Sequence, residues 1–342
     1  MFRRLGIGVL FASLLLVAGC QVQWVADNGV SGGVSCPPIP TAPTSTVTFT
    51  CTGSVVPSPS STVTTSTTTP VITTTTTQTT TTTNTPPSGN YPTVGTTGVP
   101  AGTSLTEHAG DLVITTSETY DKLHVTGSLT VKAPNVHVTN SWIEGSSGTE
   151  EAVVNNSTGL ALSNVTVGKA TGCNPQPGIG EANYTADHVR IQGMGDGFRA
   201  SGSNITVTNS FVQTCDDPNN HDDAFQAYCP GFTCSNITFR HNYLSVYGTR
   251  NYTAPLFGGS DPGGSNGQLA NSAFDDNLLN GGVFSIYLYG PSLQVSNNKI
   301  VDGHWTYAPI DADSCNGFSG NTRVIVDASN HVTSVVGPAN CA

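Results

Sequence analysis

Charge is what this chain lacks most. Asp, Glu, Lys and Arg make up 10% of its 342 residues, and only 11 Lys plus Arg stand against 22 Asp plus Glu, a net charge of −11. That balance excludes a dedicated nucleic-acid binder, whose phosphate contacts need a basic face. It also excludes a helical protein, because surface helices draw on Lys, Glu and Arg that are not here. No segment keeps the spacing of an amphipathic helix over three turns. Present instead are 38 Gly and 21 Pro, residues that punctuate short elements and turns.

The amino end reads as an export signal. Arg3 and Arg4 precede an apolar run at residues 5–18, too short for a permanent bilayer span. It closes on Leu16-Val17-Ala18-Gly19-Cys20, which resembles the lipobox of bacterial lipoproteins. That resemblance implies a signal peptide over 1–20, lipidation of Cys20, and a chain on the extracellular face of the cell envelope that meets the membrane through its lipid alone. The other reading is an ordinary secretory signal in which Cys20 is incidental. Setting Cys20 aside, eight of the nine Cys remain, an even number that suits disulfides in an oxidising compartment. Proximity suggests Cys36 with Cys51, Cys229 with Cys234, Cys173 with Cys215 and Cys315 with Cys341, although spacing alone does not fix connectivity.

Residues 28–106 contain no Asp, Glu, Lys, Arg or His, and 17 of the 24 residues at 62–85 are Thr. Such a stretch buries too little apolar surface to offset its ordering entropy, so residues 21–96 read as a disordered Thr-, Pro- and Ser-rich stalk. Fully extended, about 80 residues reach on the order of 250 Å, enough to carry a domain through an envelope layer.

From residue 97 to 342 short β-rich runs alternate with Gly, Asn, Asp and Ser, and one pattern repeats. It is NVHVTNSWI at 135–143, NITVTNSFV at 204–212 and NITFRHNYL at 236–244, with weaker copies GLALSNVTV at 159–167, NSAFDDNLL at 271–279 and SLQVSNNKI at 292–300. Each copy is a strand, an Asn-containing bend and a second apolar pair. A unit this small cannot bury its own apolar face and must stack on its neighbours. Asn140, Asn164, Asn209 and Asn297 share the bend position, taken by His241 and Asp276 in two copies, and are expected to hydrogen-bond along the stack as in cross-β ladders. At this point the chain resembles the right-handed parallel β-helix proteins of the pectin-lyase-like superfamily, over about residues 99–342. The fold expected is therefore all-β, a right-handed parallel β-helix solenoid behind the signal and stalk.

The segments before the repeats align as Glu151-Ala-Val-Val, Asp196-Gly-Phe-Arg199, Asp223-Ala-Phe-Gln226 and Gly282-Val-Phe-Ser285. This predicts Phe198, Phe225 and Phe284 stacked inside and Glu151, Asp196 and Asp223 in one column, with Asp222 beside them. Oxygen-rich clusters suit Ca²⁺, and Asp196, Asp222 and Asp223 are the candidate ligands. The alternative is that these Asp residues cap turns. The superfamily resemblance implies a polysaccharide bound along the outside of the stack, with uronate cleaved by β-elimination, a cation stabilising the enolate charge and a base removing the proton. On that reading Arg199 is the base or charge stabiliser, with His221 and Arg240 as second choices. The WiDH signature of one pectate lyase family is absent, and the polygalacturonase set of NTD, DD, GHG and RIK is incomplete.

Three functions follow. The first is a pectate-lyase-like polysaccharide lyase, the second a glycoside hydrolase using paired Asp, and the third a non-catalytic carbohydrate-binding or adhesive module. For the last, Tyr243, Tyr287, Tyr289 and Trp305 form a candidate sugar-stacking platform, with Tyr247, Tyr252 and Tyr307 nearby. Tyr287 and Tyr289 share strand parity and one face. A monomer is expected.

Overall fold

The computed structural model describes residues 90–148, 151–217, 221–250, 252–259 and 267–341. The signal, Cys20, the Thr-rich stretch and the Cys36–Cys51 pair lie outside the described residues. Those described form an all-β structure of three long sheets visited in rotation by one chain, a β-helix-like winding. Sheet A has eleven strands, and sheets B and C have nine each. One turn runs from Ile205–Thr208 in C to Phe211–Gln213 in A and Phe225–Ala227 in B, and the next begins at Ile237–Arg240 in C. Pairing between turns is parallel, as in Ile205↔Ile237, Val212↔Leu244 and Phe198↔Phe225. Among the described residues only the last strand of sheet A, Val332–Pro338, runs antiparallel to its neighbour.

The bends that join C to A explain the repeat. Lys122, Asn140, Asn164, His188, Asn209, His241, Asp276 and Asn297 all have φ between 47° and 56°, the left-handed region that Asn and Asp tolerate best. The 45-residue interval between Asn164 and Asn209 is thus two turns, with His188 at the middle bend. Among the bend side chains, His241 and Asp276 bond to each other across one turn at 2.9 Å, as expected of the column, whereas the Asn bends find other partners. Asn140, Asn209 and Asn297 each donate to an Asp one turn earlier, Asp121, Asp187 and Asp275, at 2.8 to 2.9 Å. The stacked ladder lies one residue further on, at Asn242, Asn277, Asn298 and Asn321, and is buried. There each side-chain amide donates to the oxygen of the next, at 2.9, 3.0 and 3.0 Å.

The interior is filled by aligned apolar side chains, including Phe198, Phe225, Phe239 and Phe274 with ring centroids 4.5 to 5.9 Å apart. Each fully buried ring contributes roughly 2–3 kcal/mol of transfer free energy. Phe284 is a correction to the expected internal stack. Ile286 pairs with Leu256 and fills that turn's interior with Leu288. Phe284 stands two residues earlier, half-buried, where its ring meets Tyr287 and Tyr307.

Three disulfides form as proximity suggested: Cys173–Cys215, Cys229–Cys234 and Cys315–Cys341. They fit an oxidising, extracellular environment. Residues ahead of the first strand already pack on the turns. Tyr91 is buried, stacks on His241 and donates its hydroxyl to Asp276 at 2.9 Å.

Candidate functional site

Strand parity separates inside from outside on sheet B. Phe198, Phe225, Leu256, Ile286 and Ile310 point inward, so the residues following them face out. Pairing aligns those outward residues as Arg199↔Gln226, Gln226↔Phe257, Phe257↔Tyr287 and Tyr287↔Asp311. All five are partly exposed. Around Tyr287 the rings gather: Phe257 at 5.3 Å, Phe284 at 5.2 Å and Tyr289 at 5.4 Å, with Tyr307 a further 5.8 Å from Phe284. Tyr307 is 74% exposed. At the other end the Arg199 guanidinium lies 4.8 Å over the ring of Tyr228, itself 38% exposed, a cation–π contact. Among the described residues Arg199 makes no ion pair, and its Nε is buried without a hydrogen-bond partner. The face thus offers aromatic rings, five-donor Arg199, amide Gln226 and carboxylate Asp311 in one line. Such a mixture stacks on the apolar faces of sugars and hydrogen-bonds their hydroxyls.

The expected carboxylate column is present, and two of its members, Asp196 and Asp223, hold backbone amides of the following coil rather than of a local bend. Asp196 Oδ1 accepts from the Asp223 amide at 2.9 Å, and Asp223 Oδ1 accepts from the Ala254 amide at 2.9 Å, one turn further. Glu151 stands two residues before Val153, which aligns through Ile179 with Phe198, so Pro177 separates it from Asp196. Burial and the charge of Asp196 hold Asp223 well above the usual carboxylate range. Asp222 is buried with no well-formed hydrogen bond to either oxygen. Burial raises its pKa to about 6, helped by the charges of Asp216 and Asp217, and opposed by the Thr249 hydroxyl and the Asp217 amide. The Thr249 hydroxyl is committed elsewhere, donating to the Val246 carbonyl at 2.9 Å. Among the described residues no three His, Cys, Asp or Glu side chains come together as a metal site. Of the three candidate Ca²⁺ ligands, Asp196 and Asp223 thus each have one oxygen held by a backbone amide of the following turn.

The remaining candidates are dispersed. Arg240 lies on the outside of sheet C, exposed, with Asp275 at 3.7 Å. His221 is exposed in the connection from A to B. Arg240 stands on a different sheet from Arg199, so the structure does not bring all three together as one catalytic group. Tyr243 is a correction: it is 7% exposed, on sheet A, stacked on Phe211 at 4.9 Å and accepting a bond from Asn280 at 3.0 Å. It packs rather than presenting a sugar platform. Trp305 is half-buried against the interior cluster. Tyr287 and Tyr289 do lie together on the outer face. Missed from sequence were Phe257, Tyr228 and Gln226. Their signal was strand parity in register with Arg199, which needs the loop lengths between turns to be known.

Comparison with protein-family models, with curated proteins and with solved structures finds no match in any of the three.

Proposed function

We propose that the chain is a non-catalytic glycan-binding module displayed on a Thr-rich stalk, with the outer face of sheet B as its binding surface. The observation that carries this reading is the cluster of Phe257, Phe284, Tyr287, Tyr289 and Tyr307, in line with an Arg that has no carboxylate partner among the described residues. Rings on a rigid parallel sheet stack on sugars without ordering cost, the condition for useful affinity from few contacts. The commitment of one oxygen each of Asp196 and Asp223 to backbone amides favours binding over hydrolysis by paired Asp, because a general acid or base must reach its proton. With this reading go a right-handed winding, as crossovers between parallel strands almost always have, a distant place in the pectin-lyase-like superfamily, and a lipid anchor at Cys20 on the extracellular face of the envelope.

The test offers the mature chain a panel of acidic and neutral polysaccharides, with Ca²⁺ or with chelator. Retention on an immobilised glycan with no unsaturated uronate and no new reducing ends supports a binding module. Calcium-dependent ultraviolet absorbance would establish a lyase, and reducing ends without that absorbance a hydrolase.

A further inference from the structure

The two ends of the proposed binding face repeat each other. Ala227 pairs with Gly258, and Gly258 with Leu288, in three successive turns of sheet B. The next residues are Tyr228, Gly259 and Tyr289, so the two tyrosines hold the same strand position two turns apart with a glycine between them. Adjacent strands lie ~4.8 Å apart, which puts the two platforms ~10 Å apart along the stack.

Both platforms are fixed at their backbone. The Tyr228 amide donates to the Ala200 carbonyl at 2.8 Å, and Cys229, which follows it, is bridged to Cys234. The Tyr289 amide donates to the Gly258 carbonyl at 2.9 Å. Gly290, next in line, has φ of 148°, where a side chain would be strained. The Arg199 guanidinium takes one face of the Tyr228 ring, so a sugar at that platform uses the other face beside the guanidinium's donors, and Tyr287 packs edge-on to Tyr289 at the other.

We infer that the ligand is an extended, equatorially linked glycan of the β-1,4 type, lying along the stacking axis with alternate sugars on Tyr228 and Tyr289. In such a chain successive rings are flipped, and the same ring face recurs once per disaccharide, a length close to the platform spacing. A coiled α-1,4 chain turns its faces away over the same distance and meets one platform only. This inference rests on the glycan-binding reading.

The test is calorimetry on the mature full chain with cello-, xylo-, manno- and chito-oligosaccharides of two to six units, against malto-oligosaccharides of equal length. The expected result is affinity rising at least tenfold between two and five units in an equatorially linked series and staying flat in the malto series. Tyr228→Ala and Tyr289→Ala should each remove the length gain while leaving weak disaccharide binding. A length gain that survives both substitutions, or equal binding of the malto series, overturns the inference alone. No binding by any of these series, with the circular dichroism of a folded chain, overturns the inference alone where the chain is still retained on an acidic polysaccharide, and together with the glycan reading where the whole polysaccharide panel is silent too.

Discussion

Oδ1 of Asn277 accepts two hydrogen bonds from Asn242, from the backbone amide at 3.1 Å and the side-chain amide at 2.9 Å. Asn277 in turn donates both its amides to Oδ1 of Asn298, each at 3.0 Å, and its side chain also donates to the Phe239 carbonyl at 3.0 Å. Asn242, Asn277 and Asn298 therefore each join two turns through both their backbone and side-chain amides.

Truncating a middle rung should show what that closure is worth. Asn277→Ala leaves the amides of Asn242 and the carbonyl of Phe239 buried without this partner. The expected loss is roughly 3 kcal/mol, read as a fall in Tm of about 10 °C by calorimetry. Asn209→Ala, at a half-buried bend with φ of 49°, should cost about 1 kcal/mol.

Asp222 makes stability depend on pH in an unusual direction. Its pKa is raised from 3.8 to about 6 in the folded chain, so the folded state holds its proton more tightly than the unfolded state. Its contribution is greatest below pH 4 and is lost as pH rises through 6. Asp222→Asn should accordingly raise Tm at pH 8, by a gain on the order of 2–3 kcal/mol at most, and change it little at pH 4. Thermal scans at the two pH values check this, and an equal shift at both would remove Asp222 as the cause.

Two tyrosines should separate packing from binding. Tyr243 is buried against Phe211, so Tyr243→Ala should cost about 3–4 kcal/mol of stability and leave glycan affinity at physiological temperature unchanged. Tyr287→Ala should do the reverse, weakening glycan binding about tenfold or more while moving Tm by only a few degrees, since a sugar-stacking ring carries about 1 kcal/mol or more of binding. Paired melting and affinity measurements distinguish the two.

The stacking repeat was legible in the sequence because every turn must present the same parts in the same order. An apolar pair and a left-handed bend recur at Asn140, Asn164, Asn209 and Asn297, and the three disulfides in the described residues were readable from proximity. The Asn ladder was misplaced by one residue, because Asn209 and Asn242 both look suited to stacking and only burial separates the half-buried bend from the interior. The aligned acids Asp187 and Asp275, which accept from Thr208 and Asn209 and from Ser296 and Asn297, were likewise overlooked. An Asp of one turn sits over a Ser/Thr-Asn pair of the next, a relation across turns and not along the chain. The candidate site was less legible. Arg199, Phe257 and Tyr287 become neighbours only once connections of differing length are folded out of the way, whereas Arg240, close to Arg199 in motif logic, belongs to another sheet.

The central claim is that the outer face of sheet B binds glycan through its rings. It is tested most directly by the retention of the mature chain on the immobilised glycan that holds it best, compared with Tyr287→Ala and with Arg240→Ala on sheet C. The account predicts at least a tenfold loss for Tyr287→Ala, none for Arg240→Ala, and no released sugar product from any of the three. Unchanged retention of Tyr287→Ala, or product release that disappears in Asp223→Asn, would contradict it.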